Sequence, residues 1–191
     1  AVWGKLYGQL ICECGVFVYD YHAKFKPTDL LTQVEKHKIT SFCAPPTIYR
    51  FLIQEDLSSY DLSSLEHCST AGEPLSDEVF NKWKSLTGLE LREGFGQTET
   101  TLSILNFGNE KVKPGSIGKP APYYNVVLLD DEGNECEDGE VGEIAFPLKN
   151  GRFPGLFMEY FGDPEKTNEV MRDGYYFTGD TAWRDEDGYY W

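Results

Sequence analysis

The chain reads Arg-Glu-Gly-Phe-Gly-Gln-Thr-Glu-Thr at residues 92–100, and the interpretation of the other residues depends on this stretch. Two glycines flank Phe95, so the backbone can approach another group closely while an aromatic face is presented to it. Thr98 and Glu99 follow with a hydroxyl and a carboxylate, which suit a phosphate and a hard cation such as Mg²⁺. The stretch therefore predicts a site for a magnesium-bound nucleotide, and a glycine-containing turn after a strand is the alternative.

Toward the N-terminus, short apolar runs alternate with helical patterns. Strands are predicted at residues 16–19, 39–43, around Cys68 and at 89–92. Helices are predicted at residues 1–14, after Pro27, after Pro45-Pro46, and between Ser76 and Gly88. This alternation predicts a mostly parallel sheet with flanking helices over residues 1–107. The loops at Gly72 and Gly94 are expected at the same edge of that sheet, where open α/β sheets bind ligands.

Beyond Gly108 the pattern changes to short strands separated by turns rich in Asp and Gly. These features are typical of antiparallel hairpins, and they predict a small β-barrel or a distorted sandwich over residues 108–191, with one helix near residues 164–171. The acidic residues at 130–140 are interpreted as solvated turn surface. They lack the ordered alternation of carboxylates that a calcium loop needs.

Composition limits the classes of partner. The 191 residues are 40% hydrophobic and 15% aromatic, which indicates a globular protein, and the net charge of −15 argues against binding nucleic acid or an anionic membrane. No run of 18 apolar residues predicts a membrane span. The five cysteines include no Cys-x-x-Cys pair, so reduced thiols and a cytoplasmic location are expected. The first residue is Ala1, and the sequence is interpreted as a fragment; no feature specifies an oligomeric state.

Three separated segments resemble the adenylate-forming superfamily, in particular acyl-CoA synthetases of the medium-chain type. In the family's order they are Thr-Ala-Gly-Glu-Pro-Leu at 70–75, Glu-Gly-Phe-Gly-Gln-Thr-Glu at 93–99 and Tyr-Phe-Thr-Gly-Asp at 176–180. Residues 3–9 and 44–47 also look like this family, so the resemblance covers essentially the whole chain. Three motifs in order are a stronger signal than any one of them. The fold implied is an α/β subdomain followed by a β-barrel-like one.

The resemblance implies that Gly72, Glu73 and Pro74 run alongside the adenine edge of a nucleotide. It implies that Phe95 stacks on the adenine ring, where the family usually has Tyr or Trp; the change keeps the aromatic face and loses the hydroxyl. Other readings are an exposed turn carboxylate for Glu73 and a core position for Phe95. The full nucleotide-binding set implied is Gly72, Glu73, Pro74, Glu93, Gly94, Phe95, Gly96, Gln97, Thr98 and Asp180.

By the same resemblance Thr98 and Glu99 are the catalytic pair. Thr98 would contact the α-phosphate, and Glu99 would coordinate the Mg²⁺ that neutralises charge developing on phosphorus. Asp180 would accept hydrogen bonds from both ribose hydroxyls, and a plain β-turn position is its other reading. Gly96 matches a position where acetate-specific relatives carry a bulky Trp, so an acyl group longer than acetate is expected.

The implied reaction joins a small-molecule carboxylate to CoA, using ATP. The family's phosphate loop, hinge segment and C-terminal lysine domain are not among these residues, so the 191 residues alone are expected not to catalyse adenylation. One alternative is an amino-acid adenylation domain of a peptide synthetase, and another is a non-catalytic nucleotide-binding module. A Rossmann dehydrogenase is disfavoured because no Gly-x-Gly-x-x-Gly opens a helix after a strand.

Overall fold

The computed structural model of the chain describes residues 7–20, 22, 24–108 and 110–191. It separates into two compact units, unit 1 (Ala1–Gly94) and unit 2 (Phe95–Trp191). The division predicted at residues 107 and 108 rests on a change in sequence pattern, and it stays a prediction. The helices are α1 (Gln9–Ile11), α2 (Pro27–His37), α3 (Pro46–Leu52), a 3₁₀ turn (Leu57–Ser59), α4 (Asp77–Thr87) and α5 (Pro164–Val170). The strands are β1 (Ser41–Cys43), β2 (His67–Ala71), β3 (Leu91–Gln97), β4 (Thr101–Leu105), β5 (Lys119–Pro120), β6 (Val127–Leu129), β7 (Val141–Pro147), β8 (Met171–Arg172) and β9 (Tyr175–Trp183).

Unit 1 contains a parallel arrangement of β1, β2 and the first part of β3. Cys68 lies opposite Leu91 and Ala71 lies opposite Gly94, so β2 ends where β3 reaches its glycine. The loop that begins at Gly72 therefore lies at the same edge as Gly94, which confirms the sequence prediction. Parallel strands present their carboxyl ends together at this edge.

Helix α4 directly follows that loop, and its boundaries are those that the sequence predicts. The Ser76 side chain accepts a hydrogen bond from the Val79 amide and caps the N-terminus, while Gly88 caps the C-terminus in the left-handed conformation. Val79, Phe80 and Trp83 form the buried face of the helix. Local capping and an apolar stripe together fix where the loop at residues 72–75 must end.

The prediction of a strand at residues 16–19 is wrong: these residues form neither helix nor strand. Val18 is 77% exposed, although it lies in the middle of an apolar run. An apolar run becomes a buried strand only when a neighbouring strand satisfies its backbone groups. Six of the fourteen positions of the helix predicted at residues 1–14, positions 1–6, lie outside the described residues. Helix α1 covers three of the other eight, Gln9–Ile11.

Unit 2 contains a four-stranded antiparallel sheet in the order β6-β7-β9-β8. The turns at 130–133 and 185–188 are closed by hydrogen bonds from Gly133 to Asp130 and from Gly188 to Asp185. Helix α5 lies within the predicted range. The antiparallel second half of the predicted fold is thus confirmed. Its core is a cluster of aliphatic and aromatic side chains: Ile104, Val126, Leu128, Ile144, Phe146, Leu156, Tyr176, Ala182 and Tyr190.

Candidate functional site

A tight turn at residues 97–100 connects the end of β3 to β4. The Gln97 amide donates to the Thr100 hydroxyl over 3.1 Å, and the Thr100 amide donates to the Gln97 carbonyl over 3.2 Å. Thr100 is fully buried, whereas Thr98 at the tip is exposed. β3 therefore extends through Gln97, and the turn begins after the glycines rather than at them. Thr98 is left available to a ligand, as its proposed role requires.

The Glu99 carboxylate has a defined orientation. The Tyr160 hydroxyl donates to Glu99 Oε1 over 2.9 Å, and the Phe157 amide donates to the Glu99 carbonyl over 2.7 Å. Burial raises the pKa of the Tyr160 phenol, and the adjacent Glu99 carboxylate raises it further, so Tyr160 remains a hydrogen-bond donor at neutral pH. Lys166 lies 4.8 Å from the centre of the Tyr160 ring. Tyr160 lies outside every motif, and sequence reasoning did not single it out.

Asp180 lies on β9, where the pairing with β7 is irregular. Ala145 lies opposite Phe177 and Glu143 lies opposite Thr181, so residues 178–180 face a single residue of β7. This extra length turns Asp180 outward, and its side chain is exposed. Residues 178–180 therefore form a β-bulge. Its backbone is held by a hydrogen bond of 2.8 Å from the Gly179 amide to Glu143 Oε1.

Gln97 brings two of the sequence motifs together. Its Nε2 donates to Asp180 Oδ2 over 2.6 Å and to the Thr178 carbonyl over 2.8 Å. Its Oε1 accepts a hydrogen bond of 2.7 Å from the Tyr176 hydroxyl. The structure therefore places three predicted residues of unit 2, Gln97, Glu99 and Asp180, in one neighbourhood. Electrostatic interaction with both carboxylates contributes to the pKa of Tyr176, which burial raises above its usual range.

In unit 1 the loop at residues 72–74 is exposed. Gly72 has φ of 96°, a conformation that side chains disfavour, and a Cβ added there would meet nothing within 4 Å. The Glu73 carboxylate accepts a 2.5 Å hydrogen bond from the Thr47 hydroxyl at the start of α3. The loop thus presents its backbone to solvent, as expected of a segment that runs alongside a planar ligand.

Glu93 is buried, with 5% of its surface exposed, which is unusual for a carboxylate. Its Oε1 accepts a hydrogen bond of 3.1 Å from the Leu75 amide, at the end of the 72–75 loop. Burial raises the Glu93 pKa to about 7, and the hydrogen bond from Leu75 partly offsets that rise. Glu93 therefore supports the end of the loop through Leu75, and both Glu93 and Gly94 are buried. Their direct contact with a nucleotide stays a prediction.

Phe95 and Gly96 have structural roles that the motif alone does not indicate. Phe95 is partly buried and packs against the core of unit 2, so part of its ring is used in packing, and its stacking on adenine stays a prediction. A Cβ on Gly96 would lie 1.7 Å from the Thr101 carbonyl oxygen. Glycine is required here by the close approach of two strands, which is a sufficient reason for the residue apart from any role in an acyl pocket.

The residue that follows the motif is strained. Thr101 has φ of 62°, which is uncommon for a β-branched residue. The Tyr124 hydroxyl lies 2.7 Å from the Thr101 hydroxyl and donates to the Thr100 carbonyl over 2.9 Å. These contacts hold the backbone that Thr98 and Glu99 depend on. Strain of this kind is found where the surrounding structure determines a functional turn.

Other chemistry receives little support in the described part of the chain. There, no group of three or more His, Cys, Asp or Glu side chains converges as a metal site. All five cysteines are free thiols. Over the same ranges, none of the helices has the length and apolar character needed to cross a membrane. Any cation at Glu99 would therefore need further oxygen ligands from a substrate or from water.

The chain is similar in sequence to a known family and to individual proteins. The family model described as AMP-binding enzyme matches residues 2–161. The chain is 44% identical to the mitochondrial acyl-coenzyme A synthetase ACSM3 of Rattus norvegicus, over all of its own length and 33% of that protein. It is also 44% identical to 4-hydroxybutyrate–CoA ligase 1 of Metallosphaera sedula, over 99% of its own length and 33% of that protein. The chain thus spans about a third of the length of the curated relatives that it matches.

Solved structures show the same similarity. An acyl-CoA synthetase from Brucella canis superposes with a TM-score of 0.87 at 28% identity, over 99% of this chain and 35% of that chain. The anthranilate CoA ligase AuaEII, solved in complex with anthranoyl-AMP, superposes with a TM-score of 0.84 at 32% identity, over 93% of this chain and 33% of that one. The similarity therefore extends through both units rather than being limited to the short motifs.

Proposed function

This chain belongs to the AMP-binding enzyme family, and on that basis we propose that it is the nucleotide-binding part of an AMP-forming acyl-CoA synthetase. The observation that carries the proposal is the meeting of two motifs in unit 2. There the side-chain amide of Gln97 donates a hydrogen bond to Asp180 and accepts one from Tyr176. The Tyr160 hydroxyl donates to Glu99. Asp180 and Glu99 are thus each held by a different donor, and Thr98, next to Glu99 in the chain, is exposed. These three side chains suit recognition of ribose, metal and phosphate, respectively.

The proposed reaction has two steps. A carboxylate oxygen attacks the α-phosphorus of ATP, the bond to the β-phosphate breaks, and acyl-adenylate and pyrophosphate form. The thiol of CoA then attacks the acyl carbon and releases AMP, which leaves the thioester. No protein side chain becomes covalently attached, so the residues of this chain act by positioning and by stabilising charge.

Each residue has a proposed part in this reaction. The Thr98 hydroxyl donates a hydrogen bond to an α-phosphate oxygen, and Asp180 accepts hydrogen bonds from the ribose hydroxyls. Phe95 provides an aromatic face for adenine. The backbone of Gly72, Glu73 and Pro74 passes along the base edge.

The proposed metal ligand is Glu99. Among the described residues the Tyr160 hydroxyl is the only group that hydrogen-bonds its carboxylate, through Oε1, and the side chain is partly exposed. One carboxylate together with substrate phosphates is the usual protein contribution to a Mg²⁺ site, so the residues present fit that cation. When bound, Mg²⁺ would neutralise the charge that develops on the phosphate oxygens.

The acyl group is proposed to be longer than acetate. Two relatives are named for larger acids, 4-hydroxybutyrate and anthranilate. Gly96 supports the proposal less directly than its sequence position implied, because the clash with Thr101 already requires a glycine. The relatives reported above are named as CoA ligases or synthetases, so an amino-acid adenylation domain is not favoured.

The test is an assay of the full-length protein with ATP, Mg²⁺, CoA and carboxylates of increasing size. We expect pyrophosphate, AMP and thioester in equal amounts, and we expect no turnover from the 191 residues alone. Glu99→Gln should lower the rate by about 10²- to 10³-fold, as removal of a charge-stabilising group does. Glu132→Gln changes an exposed turn carboxylate and should leave the rate unchanged. Full-length protein that forms no adenylate with any acid, or a fully active Glu99→Gln variant, would contradict the proposal.

The compartment is also a proposal. A reducing compartment such as the cytoplasm fits the five free thiols. The name of one relative includes the word mitochondrial. Microscopy of the tagged full-length protein would distinguish the two locations.

A further inference from the structure

The amide of Gln97 makes three hydrogen bonds to β9, which lies about eighty residues further along the chain. Nε2 donates to the Thr178 carbonyl and to Asp180 Oδ2, and Oε1 accepts from the Tyr176 hydroxyl. A side-chain amide has two donor hydrogens and one acceptor oxygen. Each of these capacities is used here.

The partners determine the orientation of this amide. A backbone carbonyl and an ionised carboxylate can only accept, so the group facing Thr178 and Asp180 must be Nε2. Tyr176 is 1% exposed, and burial raises the pKa of its phenol, so its hydroxyl remains protonated and donates to Oε1. Flipping the amide would place an NH₂ group against a donor and an oxygen against two acceptors.

The other contacts of the bulge that carries Asp180 hold its backbone. The Thr178 hydroxyl donates to the Ile144 carbonyl over 2.8 Å, and the Glu143 carboxylate accepts from the Gly179 amide. The Asp180 amide donates to the Thr178 hydroxyl over 3.1 Å, so these bonds together fix the backbone of residues 178–180. Among the described residues, the hydrogen bond from Gln97 Nε2 is the one made to the carboxylate of Asp180 itself.

We propose that Gln97 is a positioning residue that orients Asp180 for recognition of the nucleotide ribose. The inference rests on the proposed function, because it takes Asp180 as the ribose acceptor. Gln97 occupies Asp180 Oδ2 from one side, which restricts rotation of the carboxylate and directs its remaining lone pairs outward. The role differs from direct contact with the nucleotide, which is what the motif alone implies for Gln97.

The choice of amide over acid at position 97 follows from the same contacts. A glutamate there would place a second carboxylate within hydrogen-bond distance of Asp180 and of the Thr178 carbonyl. Three acceptors would then face one another without a donor. An aliphatic side chain of similar length would fill the space and leave Asp180 without its donor.

The test measures how strongly the full-length protein distinguishes ribose hydroxyls. Calorimetric titration with AMP, 2′-deoxy-AMP and 3′-deoxy-AMP would be carried out on wild type, Gln97→Leu, Asp180→Ala and the double variant. We expect wild type to prefer AMP and Gln97→Leu to lose about tenfold to a hundredfold in AMP affinity, as expected for a lost hydrogen bond to a charged group. Its affinity for the deoxynucleotides should change much less. The double variant should bind AMP as weakly as Asp180→Ala alone.

A purely structural role would give a different result. If Gln97 only maintained the fold, Gln97→Leu would weaken all three nucleotides equally and would add its effect to that of Asp180→Ala. Tyr176→Phe provides a second route if Gln97→Leu does not fold. It removes only the bond to Oε1, and it should reduce the preference for AMP in the same direction by a smaller factor.

The outcomes separate this inference from the function on which it rests. Wild-type protein that binds no AMP would overturn both. Wild type that prefers AMP, together with a Gln97→Leu variant that keeps the full preference, would overturn only the role of Gln97.

Discussion

The two units hold their motif residues in different ways. In unit 2 the motif is tightly packed: a Cβ on Gly96 would overlap the Thr101 carbonyl, Thr100 is fully buried, and Gln97 makes three hydrogen bonds. In unit 1 the loop at residues 72–74 is exposed, and a Cβ on Gly72 would meet nothing within 4 Å. Its backbone is supported at its end, where the Leu75 amide donates to Glu93.

The chemistry of the supporting groups differs as well. Unit 2 orients Asp180 and Glu99 with neutral donors, an amide and a phenol, which do not titrate near neutral pH. Unit 1 supports its loop with a buried carboxylate whose pKa is raised to about 7. The geometry of the unit 2 motif should therefore resist changes in pH, whereas the support of the unit 1 loop should depend on pH.

The difference in packing between the two units should have the greatest effect on stability. Gly96→Ala should lower the free energy of unfolding by about 3 kcal/mol, because the new methyl group meets a backbone carbonyl that has little room to move. Gly72→Ala should cost only about 1 to 2 kcal/mol, the penalty of its positive φ. Urea denaturation of the full-length protein, followed by tryptophan fluorescence, would compare the two. Gly15→Ala, which has open space and no such φ, serves as the control, and equal losses at 72 and 96 would refute the contrast.

The raised pKa of Glu93 should have a smaller effect on stability, and this effect should depend on pH. Because the folded pKa of Glu93 lies above its unfolded value, folding takes up protons, and the favourable contribution present at low pH is lost as pH rises from 4.5 to 7. Glu93→Gln cannot ionise and still accepts from Leu75. Between pH 5 and pH 8 the variant should therefore gain about 2 kcal/mol of stability relative to wild type. Thermal unfolding across this range checks the sign, with the exposed Glu73→Gln variant as the control. Parallel profiles for wild type and Glu93→Gln would show that Glu93 does not titrate as proposed.

The smallest effect concerns the side-chain contact of the exposed loop. Thr47→Val removes the hydroxyl that donates to Glu73, and both groups are accessible to water. Water replaces such a bond readily, so a loss of about 0.5 kcal/mol or less is expected in the same unfolding assay. Thr47→Ser keeps the hydroxyl and should match wild type. A loss as large as that of Gly72→Ala would mean that the loop is held more firmly than its exposure indicates.

Much of the fold could be predicted because local patterns specify it. Helix α4 has the Ser76 cap and the Gly88 stop that its sequence indicates, and the parallel pairing of β2 with β3 follows from the alternation of strands and helices. The prediction of a strand at residues 16–19 was wrong because a strand also depends on a partner distant in the sequence. These residues favour a strand, but no neighbouring strand pairs with them.

The candidate site divides in the same way. The motifs identified Glu99 and Asp180, but nothing in the sequence near Tyr160 indicated that its hydroxyl donates to Glu99. The sequence shows that position 160 is a tyrosine, 61 residues after Glu99, and shows nothing of its contacts. Whether its hydroxyl reaches a carboxylate depends on how loops pack, and no local pattern encodes that.

The residue types of the site, the family, and the succession of parallel and then antiparallel strands could all be read from the sequence. These features depend on residues that are neighbours or a few positions apart, where period and capping act directly. Long-range packing, in contrast, brings Gln97 to Asp180 across 83 positions and buries Glu93. The first depends on the bulge that offsets β9 from β7, and the second on packing that removes water from a carboxylate.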